Sequence, residues 1–212
     1  MSKQQFLLIA LLFLLASCRF SSDKTEWRVY GGNKGATHYS TLTEIDSSNV
    51  SQLQVAWEYH TGDAENKTQI QVNPIIVDGV LYGVSPKLKL FAIDASTGKE
   101  KWVYNPVDTT NKGKGYFSMN VSRGVTYFSN QGKAPRIFYA AASNLICVDA
   151  ITGKPVASFA DSGKLDLHND LGRDVKDLCV ACTTPGIIYK DLIIIGTRVA
   201  EEAAAAPGYI RA

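Results

Sequence analysis

Apolar and polar positions alternate in short runs along most of this chain. The clearest run, Val80–Tyr104 (VLYGVSPKLKLFAIDASTGKEKWVY), predicts three strands separated by tight turns. Leu81, Tyr82 and Val84 are strand formers, Leu90–Ile93 make a second apolar run after the Ser-Pro-Lys turn, and Lys99–Tyr104 return with Trp102 as the bulky residue. Between the last two, Asp94-Ala-Ser-Thr-Gly98 reverses the chain, because Asp and Ser side chains bond nearby main chain and Gly accepts a positive φ. The pattern returns at Arg136–Phe159, where Asp149-Ala-Ile-Thr-Gly153-Lys154 matches Asp94–Lys99 at an offset of 55 residues. A third copy starts at Lys190–Gly196 and reaches Gly208–Ala212.

Sheet units recurring every 40–50 residues or more (on the order of one propeller blade each) must bury their faces against neighbours, which predicts an all-β fold and a β-propeller. The same turns would also suit coincidental hairpins in a β-sandwich. About three units fit in this length, whereas a propeller needs at least about four. The last unit stops before its turn, so we expect the front part of a longer sequence. Elsewhere, Trp27–Ser40 is Gly-rich and irregular, suited to covering a surface. Asp46–Leu53 predicts a short helix with Asp46 or Ser47 as its N-cap. Gln54–His60 alternates Val55, Trp57 and Tyr59 as a strand would, Asn73-Pro74 places Gln71 and Asn73 at a strand mouth, and Thr109–Gly115 reads as a loop.

Composition is that of a globular chain, 45% hydrophobic and 20% charged. Residues 1–17 read as a targeting segment, with Lys3 as the positive region and Phe6–Leu15 as an apolar run too short to span a membrane. The Leu15-Ala16-Ser17-Cys18 at its end resembles the bacterial lipobox, which implies lipidation of Cys18 and a membrane anchor on the periplasmic side of the cell envelope; an ordinary cleaved secretory peptide is the alternative. Residues 18–25 are then a tether and 26–212 the folded part. The net charge of +2 falls to +1 without Lys3, which gives no argument for nucleic acid. Cys179-Val-Ala-Cys182 is compatible with a local disulfide or with two plain thiols, and Thr183 in place of His after it excludes covalent haem attachment. His38, His60 and His168 are isolated, and no pair has metal-ligand spacing. Arg123 before Gly124 is ordinary on a surface, yet it is also the residue suited to a planar carboxylate fork. Glu201-Glu202, taken alone, is a solvated loop pair.

Taken together, WRVYGGNKGATHYSTL, NVSQLQVAWEYHTGD, NPIIVDGVLYGVSP, LFAIDASTGKEKW, SRGVTYF and the GTRVAEE…PGYIRA ending resemble the quinoprotein dehydrogenases, nearest to the membrane-associated glucose dehydrogenase type. The resemblance implies the N-terminal part of an eight-bladed propeller that oxidises a sugar or alcohol with pyrroloquinoline quinone (PQQ) and calcium. Electrons would pass to a respiratory quinone or cytochrome. It assigns Arg123 to the quinone carboxylates, Gln71 and Thr183 or Thr184 to the cofactor, and Glu201 to calcium, with Glu202 taking that part if the register slips by one. The assignment requires Arg123 and Glu201 to converge on one central cavity. Two features depart from relatives: Phe117–Asn120 contain no adjacent cysteines, and Met119 stands where sugar-oxidising relatives carry His. The resemblance also places the catalytic Asp beyond Ala212, so the chain alone is expected to turn nothing over. A rival reading is a non-catalytic lipoprotein with the same repeats, acting as a scaffold in outer-membrane assembly.

Overall fold

The computed structural model describes residues 26–66, 68–106, 121–130 and 132–212. The expected signal segment, Cys18, the tether and the 109–115 loop lie outside the described residues.

The first meander is the one the alternation predicts. Strands β1 (Ile75–Val77), β2 (Val80–Val84), β3 (Leu90–Asp94) and β4 (Glu100–Tyr104) form an antiparallel sheet in sequence order. A second four-stranded sheet consists of β5 (Thr126–Phe128), β6 (Arg136–Ala141), β7 (Asn144–Asp149) and β8 (Lys164–Asp166). Beyond it, β9 (Val180–Ala181) pairs with β12 (Arg198–Val199). Strands β10 (Ile187–Tyr189), β11 (Leu192–Gly196) and β13 (Ile210–Arg211) make a third sheet.

Period-two alternation explains how the second sheet is buried on both faces. Ile137, Tyr139 and Ala141 of β6, with Ile146 and Val148 of β7, pack against Ile75, Val77, Tyr82, Val84, Leu90 and Ala92 of the first sheet. The alternate residues Phe138, Ala140, Leu145 and Cys147 face a second core with Leu167, Val180, Cys182 and Ile195. Each large aliphatic side chain among them contributes about 1.5–3 kcal/mol through burial, so this sheet is fixed from two sides. The third sheet buries Ile195 but leaves Ile187, Tyr189, Leu192 and Ile210 exposed.

Each Asp-Ala-x-Thr-Gly turn follows the third strand of its own sheet and receives a tryptophan from the segment before it. Asp94 Oδ1 accepts from the Ser96 and Thr97 amides and from both hydroxyls, at 2.6–3.1 Å. Asp149 Oδ1 does the same for Ile151 N, Thr152 N and Thr152 Oγ1 at 2.7–3.0 Å. Gly98 and Gly153 close the turns at φ +70 and +69. An indole from the preceding segment lies on each glycine, where an added Cβ would stand 2.7 Å from the Trp57 ring or 2.5 Å from the Trp102 ring. The same indoles donate Nε1–H to the carbonyls of Ala95 and Ala150, each at 3.2 Å.

Three local expectations fail for identifiable reasons. The stretch 46–53 is not an α-helix: it holds a single 3-10 turn, Val50–Gln52, with no buried residue to give a helix a packed face. Asp46 spends its side chain on a turn, accepting from Ser48 N and Oγ, rather than capping a helix. Gln54–His60 pairs with no strand among the described residues; its indole and the Tyr59 ring, which lies 5.0 Å from Phe91, pack onto the first sheet instead. The second repeat has no strand directly after its turn. Pro155 stands there without an amide, Val156 N still reaches Cys147 O at 3.0 Å, and the chain loops out before β8 returns to pair with β7.

Candidate cofactor site

Three segments from successive units meet edge to edge. Asn73 N donates to Arg123 O at 3.0 Å, and Arg123 N donates to Thr183 O at 2.8 Å. Gly124 is a point of close approach, since a Cβ there would lie 3.1 Å from the Tyr30 ring and 3.3 Å from both Asn73 O and the Pro185 ring. Thr126 Oγ1 adds a bond to Gly186 O at 2.8 Å. Both main-chain groups of Arg123 are therefore engaged, which fixes the backbone beneath an exposed side chain. Gln71, also exposed, stands two residues before Asn73, while Thr183 is half-buried and Thr184 exposed. Among the described residues the side chains of Gln71, Arg123 and Thr183 have no hydrogen-bonding or ionic partner.

Glu201 arrives differently. Strand β12 runs antiparallel to β9 with Arg198 opposite Ala181 and Val199 opposite Val180. Thr183 lies past the C-terminal end of β9 and Glu201 past that of β12, so the antiparallel register puts the two at opposite ends of the pair. Glu201 is exposed, and no group of three His, Cys, Asp or Glu gathers around it among the described residues. The structure brings the segments of Gln71, Arg123 and Thr183 together through main-chain bonds, whereas the β9–β12 pair leaves Glu201 at its far end from Thr183 and so does not itself bring Glu201 to Arg123 as the resemblance requires.

Cys179 and Cys182 are free thiols on either side of β9. Three residues of extended chain separate their Cα atoms by about 10 Å, too far for a disulfide. Burial raises the pKa of both, and Cys182 Sγ donates to Thr184 O at 3.2 Å. An open cleft of about 400 Å³ borders Asn73, lined by Trp27, Tyr30, His38, Leu42 and Pro74.

The family profile described as "PQQ: Glucose/ethanol/alcohol dehydrogenase, beta-propeller domain" matches residues 27–212. The chain belongs to this PQQ dehydrogenase propeller family. It is 32% identical over 196 residues to the quinoprotein glucose dehydrogenase of Gluconobacter oxydans (strain 621H), covering 84% of this chain and 24% of that protein. With the 1-butanol dehydrogenase (cytochrome c) of Thauera butanivorans it shares 34% over 150 residues, 70% of this chain and 20% of the relative. The crystal structure of quinohemoprotein alcohol dehydrogenase from Comamonas testosteroni superimposes with a TM-score of 0.66 at 28% identity, covering 82% of this chain and 23% of that one. The chain therefore spans about a quarter or less of the length of these relatives.

For a PQQ-family chain the donors at the three-segment junction suit a carboxylate-bearing quinone. A guanidinium fork, a hydroxyl and an amide are present and, among the described residues, not taken up by neighbouring side chains. Glu201 offers hard oxygen, as calcium requires, but as one donor of several. Three residues fasten the surroundings: His168, read from the sequence only as an isolated histidine, and Arg173 and Arg211, which sequence reasoning did not single out. The His168 ring lies between Asp166 Oδ1 at 2.7 Å and Leu178 O at 3.0 Å. Arg173 and Arg211 both bond to carbonyls far along the chain. No local pattern marks Arg173, while Arg211 falls in the third strand copy, where it reads as a strand residue rather than as a fastening group.

Proposed function

We propose that this chain is the cofactor-binding front part of a periplasmic PQQ- and calcium-dependent dehydrogenase that oxidises a sugar or an alcohol. The observation that supports this reading is the Asn73–Arg123–Thr183 main-chain junction, which joins the segments carrying Gln71, an exposed Arg123 and Thr183 in a chain of this family. Arg123 would hold the quinone carboxylates, with Gln71 and Thr183 or Thr184 fixing its orientation and Glu201 contributing to the metal. Bound there, the pair would supply the two-electron acceptor and the Lewis acid that protein side chains lack. The chain's own part is to orient: a planar fork discriminates a flat carboxylate by shape as well as by charge. The remainder of an eight-bladed propeller, with its catalytic carboxylate, would complete the site. A lipid on Cys18 would hold the protein at the membrane, with electrons leaving to a respiratory quinone or a cytochrome. The family assignment favours this over the assembly scaffold.

The test is reconstitution of the intact protein with PQQ and calcium, followed by dye reduction in the presence of glucose and of primary alcohols. Activity should require both additions. In Arg123→Ala the PQQ dissociation constant should rise about 100-fold, from loss of a charge-assisted bidentate pair of roughly 3 kcal/mol. Unchanged PQQ binding in that variant would refute the site.

A further inference from the structure

Glu201 and Glu202 are followed by four alanines, Ala203–Ala206, which carry no side-chain group able to fasten the loop. Within the loop, Ala205 N donates to Glu202 O at 3.0 Å, and Ala206 is buried in the second core. The remaining anchor is external. The Arg173 guanidinium donates to Ala204 O at 3.2 Å and also to Ala205 O. Further on, Arg211 donates to Leu167 O at 2.9 Å and to Asn169 O at 2.8 Å. The span from Ala204 to Arg211 is thus bracketed by two arginine contacts with one loop, residues 167–178.

That loop is itself held firmly. Leu167, Leu171 and Val175 insert into the second core, and the His168 ring bonds Leu178 O at the loop's far end. Arg173 projects from the middle of this anchored segment, and one of its terminal nitrogens, Nη2, donates to both adjacent carbonyls. A Lys ammonium, carried on a flexible four-carbon stem, would hold the same carbonyls less firmly.

We propose that Arg173 is a positioning residue for Glu201, setting the carboxylate's loop for metal binding by clamping the carbonyls of Ala204 and Ala205. The inference rests on the assignment of Glu201 to calcium. Outer partners of metal ligands commonly change affinity by about 10–100-fold when removed.

The experiment compares the intact protein with Arg173→Ala and Arg173→Lys, using calcium chloride as the probe and amide hydrogen exchange as an independent readout. In Arg173→Ala the calcium dissociation constant should rise about ten-fold. Amides 200–206 should exchange faster without calcium, while the thermal midpoint stays put because the side chain is exposed. Arg173→Lys should fall between the two. Unchanged exchange at 200–206 together with unchanged calcium affinity would overturn the proposal. A wild-type protein that takes up no calcium would overturn the metal assignment of Glu201, and the exchange measurement alone would then decide whether Arg173 clamps the loop.

Discussion

The two Asp-Ala-x-Thr-Gly turns are nearly identical in their hydrogen bonds yet sit in different surroundings. At Gly153 the indole belongs to β4 of a sheet packed in the first core, and Ala150 O accepts from Tyr82 Oη as well as from Trp102, each at 3.2 Å. At Gly98 the indole belongs to a segment that pairs with no strand among the described residues and exposes Val55. The chain leaving each turn differs too: Lys99 leads directly into β4, whereas Pro155 forces a detour of about ten residues before β8. The turn is thus a local device that its short sequence pattern specifies. The strength of the joint it makes depends on what holds the tryptophan.

This difference can be broken by substitution. Gly153→Ala should have the largest effect, about 3 kcal/mol in denaturant unfolding of the intact protein. It combines a left-handed backbone with a collision against a ring that cannot retreat. Gly98→Ala should cost less, about 2 kcal/mol, since the Trp57 segment can give way; equal costs would erase the distinction. Trp102→Phe keeps an aromatic ring and loses one donor, and because Tyr82 still bonds Ala150 O the loss should be about 1 kcal/mol. The smallest effect concerns acid. The hydroxyl of Ser96, then that of Thr97 and the turn amides, hold the Asp94 carboxyl down to about 2 from the usual 3.8. A lowered folded value stabilises at neutral pH and is lost as pH falls from about 4 through 2. Asp94→Asn should therefore flatten the acid limb of a stability–pH curve over that window, leaving the limb above about pH 5 unchanged in slope.

Much of the fold could be read from residues because strand, turn and partner are close in sequence. Leu90–Ile93, Asp94–Gly98 and Trp102 define a meander whose ladder partners are neighbours along the chain. The failures occurred where the deciding partner is distant or covalent chemistry intervenes. Val55, Trp57 and Tyr59 alternate like a strand, yet no described strand offers them a ladder. Pro155 sits where the repeat demands an amide. At the candidate site, Arg123 was visible through its setting before Gly124, whereas the bonds that join its segment to Asn73 and Thr183 come from residues 50 and 60 positions away. Arg173 was invisible for the same reason, since its two acceptors lie in an alanine run that carries no local signal.

The forward reach of Trp102 has a consequence for how such a molecule is made. Each turn receives its cover from a segment synthesised before it, so the order of synthesis and the order of docking coincide. A unit leaving the ribosome meets an indole already waiting, and its own glycine turn closes against that surface without needing anything still to be translated.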